Sequence, residues 1–139
     1  MDLLSLYYIS PELSLVGLAL VLITLDLFIN LKKHVTWVVL LGLVLPLIFT
    51  GLLWSDVTAN DVPSKIFFAS ISLDHFALTF KYLIVLILVP IVLLSHQYSS
   101  SYSSFRIEYF ALILISAAGM MLLASASDLI TIYVALELT

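Results

Sequence analysis

The chain has 139 residues, 63% hydrophobic and only 10% charged, with a formal net charge of −4 and no cysteine. A soluble domain averages roughly half apolar and a quarter charged, so this composition excludes an ordinary water-facing domain and points to a single bilayer-embedded one. The absence of cysteine excludes disulfides, iron–sulfur clusters and thiolate metal sites; His34, His75 and His96 show no metal-ligand spacing, and without a basic patch nucleic acid is not an expected partner.

The opening MDLLSLYYISPE is neither Arg-rich nor amphipathic, and no small-residue cleavage site follows the first apolar run, so no transit or signal peptide is read there. The expected first span covers residues 13–31. Pro11 fits a helix's first turn, Glu12 favours the positive end of the helix dipole, and KKH closes the segment. The second covers 35–54, with Trp37 and Trp54 roughly 26 Å apart at helical rise, as interfacial anchors would be. Residues 55–75 form the one sizeable loop, polar at first and then alternating in KIFFASISL as a short strand or hairpin does. The third span, 76–94, contains Lys81 and an expected kink at Pro90. A Ser/Tyr-rich loop leads to the fourth, 109–126, whose small residues 116–119 allow close approach of a neighbouring helix. A fifth segment, 128–139, reaches about 18 Å as helix, short of the roughly 30 Å hydrocarbon core. The expected fold is therefore an all-α membrane protein of four transmembrane helices and the start of a fifth.

If spans alternate, Lys32, Lys33 and Arg106 share one side, and the other holds only Lys65 among Asp2, Glu12, Asp56, Asp61 and Asp128. The positive-inside rule then puts the N-terminus outside.

Ionisable groups inside a bilayer are expensive, and by default they mark ion or proton pathways. Asp26 and Lys81 sit close enough to span ends to snorkel toward the headgroups. Glu137 lies nine residues beyond Asp128, roughly 13 Å deep at helical rise, where its short side chain cannot reach the interface. Tyr133, four residues earlier, shares its helix face and can hydrogen-bond the carboxyl, which can then exchange a proton with a lysine on a facing helix. The bland alternative is a buried, permanently neutral acid that holds helices together. Asp128, after Ser127, reads as a helix cap.

SPELSL at the start, LDHFALTFK entering the third span and EYFALILISAAGMMLLASASDLITIYVALEL at the end resemble the subunit 2 family of respiratory complex I, the proton-pumping NADH:quinone oxidoreductase, an antiporter-like membrane subunit. Ser127 stands where that family commonly has asparagine, and Ala135 where it often has glycine. The resemblance implies that Glu137 is the family's fifth-helix glutamate, a proton-relay residue paired with a lysine on a seventh helix that this sequence does not contain. Tyr133, Lys81 and Asp128 are secondary candidates. It further implies no cofactor or metal in this chain, with NADH, FMN, iron–sulfur clusters and ubiquinone bound elsewhere in the complex. Expected partners are the other membrane-arm subunits, membrane lipids and a second polypeptide carrying the remaining helices, unless the chain is the leading piece of a longer protein. A mitochondrial inner membrane is expected from the Phe, Ile, Leu, Ser and Tyr bias, with a bacterial plasma membrane as alternative. Two rival functions are a subunit of a multisubunit cation/proton antiporter and a passive membrane scaffold.

Overall fold

The computed structural model describes residues 3–28, 35–58, 65–66, 70–98 and 106–139. A short helix α1 (Leu3–Tyr8) precedes α2 (Ser10–Phe28), α3 (Val35–Gly42), α4 (Val44–Thr58), the strands β1 (Lys65–Ile66) and β2 (Ile71–Ser72), then α5 (His75–Tyr98), α6 (Arg106–Ser125) and α7 (Leu129–Leu138). Among the described residues, four stretches are long and apolar enough to cross a membrane: Ser10–Leu27, Val35–Thr58, His75–Ser95 and Ile107–Ser125. With the shorter apolar helix α7, this is an all-α, multi-pass membrane fold with four candidate spans among the described residues.

Each helix spends one stripe on its neighbours. Leu15, Ala19 and Leu22 of α2, Val85, Leu88 and Val92 of α5, and Phe110, Leu114, Ala117 and Met121 of α6 recur at three- and four-residue spacing and are buried together. The opposite faces expose Leu20, Val21, Leu86, Leu93 and Leu112, as a lipid-facing surface requires. Helix α6 is central, packing on α2, α5 and α7. Since lipid is as apolar as leucine, close packing rather than water exclusion holds such helices together, and small residues mark where it is closest. The side chain of Leu18 fills the space that a Cβ on Gly42 would take, and a Cβ on Gly119 would lie 3.1 Å from the Leu138 backbone carbon. The small-residue run at 116–119 thus receives α7.

The second span departs from the expected uninterrupted 35–54. It continues to Thr58 and breaks at Leu43 into two helices. Pro46 supplies no N–H to the carbonyl of Gly42, four residues back, and glycine is itself a poor helix former, so the ladder ends there and Pro46 sits in the first turn of the next helix. Pro90 withholds a donor from Leu86 in the same way, yet α5 runs through it without interruption. The spans at 13–31, 76–94 and 109–126 begin earlier than expected, at Ser10, His75 and Arg106. KKH and residues 29–31 lie outside the described residues.

The loop contains an antiparallel hairpin, Lys65 opposite Ser72 and Ile66 opposite Ile71. Ile71 bridges to Ala126, and the Ser127 N–H donates to the Ser70 carbonyl at 2.8 Å. The hairpin is therefore pinned across the junction between α6 and α7.

Candidate functional site

Hydroxyls within the spans are mostly satisfied by their own helix, as a medium without water demands. Thr50 Oγ1 donates to the Pro46 carbonyl at 2.7 Å, Thr24 to Leu20 and Val21, and Ser125 to Met121 and Leu122. An ionised carboxylate cannot be handled this way, because it has no proton to give to a carbonyl one turn back; Glu12 and Glu137 find other partners.

The first is Glu12. It stands in the first turn of α2, and α5 brings the ammonium of Lys81 to 2.6 Å from its Oε1. Both side chains are almost wholly enclosed by this chain alone, with 3% and 1% exposed. This corrects two expectations. Lys81 does not snorkel to the interface, and Glu12 does more than favour a helix end: each is drawn inward by the other, because an opposite charge at contact distance outcompetes a headgroup the stem would have to uncoil to reach. The ammonium approaches off the ideal hydrogen-bonding direction. Neither carboxylate oxygen has a well-angled hydrogen bond among the described residues, and the Ser10 hydroxyl is buried without one as well.

The second is Glu137 on α7. The Tyr133 hydroxyl donates to its Oε1 at 2.7 Å, the pairing that four-residue spacing suggests. The Ser116 hydroxyl donates to the Thr139 carbonyl at 2.9 Å. Ser116 is the central residue of the stretch Ile107–Ser125, so the end of α7 lies level with the middle of α6. Glu137 is nevertheless exposed, as is Tyr133 at 63%; the described residues of this chain do not bury it. Asp128 occupies the N-cap position of α7 with extended backbone, and its carbonyl accepts the first helical bond from the Ile132 N–H at 3.0 Å, but its side chain makes no capping hydrogen bond, in contrast to the expected cap. Asp26 is half-buried.

At the end where α2 and α5 begin, Tyr7 of α1 donates its hydroxyl to Asp56 Oδ2 at 2.9 Å. Burial, then that bond and the nearby carboxylate charge, push the Tyr7 phenol above its ordinary value. Trp54 stacks edge-on with His75 and Tyr82, an aromatic group suited to a membrane interface. Among the described residues, no three His, Cys, Asp or Glu side chains gather as a metal site would require.

Three relatives show what such a chain resembles. NADH-quinone oxidoreductase subunit N of Trichlorobacter lovleyi is 36% identical over 137 residues, 97% of this chain and 27% of the relative. The subunit N of Dehalococcoides mccartyi is 34% identical over 92% of this chain and 26% of its own length, and that of Ruthia magnifica 34% over 99% and 28%. Along nearly its whole length this chain is similar to part of an NADH-quinone oxidoreductase subunit N. It spans about a quarter of the length of the curated relatives it matches. No family model matches it. Each of these relatives is a subunit N, which leaves the finer likeness to subunit 2 resting on the sequence motifs alone.

Proposed function

We propose that the chain forms part of the proton-translocating membrane arm of NADH-quinone oxidoreductase, as part of the antiporter-like subunit that the sequence motifs liken to subunit 2, and that Glu137 is its proton-relay residue. The observation that carries this reading is the similarity to subunit N along nearly the whole chain, joined to an acidic side chain level with the middle of an apolar span. A carboxyl in hydrocarbon needs a hydrogen-bonding or charged neighbour. Tyr133 supplies one; the exposure of Glu137 supports a second on a facing helix contributed by residues beyond this chain, a lysine being the chemical complement.

NADH oxidation and quinone reduction belong elsewhere in the assembly, on the residues that bind NADH, FMN, iron–sulfur clusters and quinone. Their effect here is electrostatic: a change in charge or packing beside Glu137 alters whether it holds its proton, and the proton moves to or from the facing base. Partners are the other membrane-arm subunits and the polypeptide, separate or continuous, that supplies the remaining helices. The bacterial relatives favour a bacterial plasma membrane over a mitochondrial inner membrane.

Glu137→Gln keeps the side chain's size and removes the titratable group. In the assembled complex it is expected to lower protons moved per electron while leaving assembly intact. Unchanged stoichiometry contradicts the assigned role.

A further inference from the structure

Glu12 and Lys81 are a pair of opposite formal charges buried within the described spans, unlike the Ser95–Tyr109 hydroxyl pair, which also joins two helices. They come from different helices, and this chain alone buries them, so any neighbour or lipid only deepens the burial. An ion pair kept solely as a clasp is most stable when its remaining lone pairs are met by donors. Glu12 lacks that completion among the described residues: its Oε2 has no donor there, and Oε1 is met by the off-angle ammonium. A buried carboxylate oxygen without a donor is a place for a water or for a proton.

We propose that Glu12 and Lys81 form a protonatable pair that holds a water on Glu12 Oε2 and takes up and releases a proton, an exchange site separate from Glu137. This rests on the reading that the chain works in a proton-translocating assembly. A proton delivered through the water to Oε2 converts the carboxylate to the acid. Lys81 is then a buried ammonium without a counter-charge and releases a proton from Nζ to water, leaving acid and amine both neutral. Transfer of the acid's proton to Nζ, through the water or after the carboxyl turns its protonated oxygen to the side where Nζ meets Oε1, restores the ion pair. One proton has entered, one has left, and no bond between heavy atoms has changed.

Arginine separates this role from a structural one, because it keeps the positive charge but does not give up a proton in a protein. The test is NADH-driven proton uptake per electron by the assembled complex in liposomes, for the wild type, Lys81→Arg, the neutral pair Glu12→Gln/Lys81→Met, and Glu137→Gln. Expected is at least a fivefold loss of stoichiometry in Lys81→Arg at wild-type assembly, with a comparable loss in the neutral pair. Wild-type stoichiometry in either variant that assembles, or failure of both to assemble, makes the pair a structural clasp and overturns the proposal. The Glu137→Gln arm reports on the underlying reading separately: normal pumping there, with loss in Lys81→Arg, removes the Glu137 role and leaves the pair's role standing.

Discussion

Truncating Lys81 to methionine leaves a carboxylate enclosed by α2 and α5 with no opposite charge. Breaking a buried pair by removing one partner costs about 3–5 kcal/mol, whereas neutralising both partners at similar volume is nearly free or stabilising. With 1% and 3% exposure, Lys81 and Glu12 belong to the buried regime, where solvent screening does not soften the penalty. Lys81→Met is thus expected to destabilise by about 3 kcal/mol, over a hundredfold in an equilibrium constant, unless Glu12 protonates, which limits the loss. Glu12→Gln alone leaves a buried ammonium and is expected to act similarly. The double variant Glu12→Gln/Lys81→Met regains most of the loss, for a coupling of roughly 2 kcal/mol or more. The assay is a double-mutant cycle on the detergent-solubilised complex, reading thermal midpoint and the fraction of this chain retained by native gel. Additive losses, with coupling under about 0.5 kcal/mol, refute the claim that the two charges depend on each other.

Three further outcomes follow from the geometry. Gly119→Leu places a branched side chain where Leu138 and Thr139 already approach to about 3 Å, so α7 separates from α6 at a cost of about 1–3 kcal/mol, measurable as faster protease cleavage after Asp128. Tyr133→Phe removes one hydrogen bond to Glu137, worth about 0.5–1.5 kcal/mol, and is expected to leave assembly unchanged while lowering proton stoichiometry less than Glu137→Gln does. The raised Tyr7 phenol stabilises the fold below its ordinary value near pH 10, and that contribution is lost as pH rises through the shifted value. Thermal midpoints of wild type and Tyr7→Phe therefore differ at pH 8 and converge above pH 10.

The spans were legible in the sequence because a bilayer imposes long apolar runs on any helix that crosses it, and the hairpin because KIFFASISL alternates with period two. The break at Leu43 has a local cause, Gly42 and Pro46 four residues apart, that a hydropathy average smooths over. The Glu12–Lys81 pair was harder to see. Each residue taken alone lies near a span end, where a helix dipole or snorkelling accounts for it. Only the observation that the first and third spans start on the same side, with an acid and a base a few residues in, hints that the two meet; which helix faces turn toward each other is decided by packing. Asp128 shows the reverse case: a cap-forming residue at a cap position, its carbonyl accepting the first helical bond as any N-cap does, but its side chain makes no capping hydrogen bond. Helical rise places Glu137 near the end of α7, which lies level with the middle of α6, while the described residues leave its side chain exposed.

The most direct measurement is a structure of the intact assembly, solved at a resolution that shows side chains and ordered water around position 137. The expected result is a carboxyl enclosed on all sides, within hydrogen-bond reach of Tyr133 and, directly or through one water, of a cationic side chain on a facing helix. A Glu137 side chain that points into lipid or bulk water, with no base within two waters, contradicts its assignment as a proton carrier.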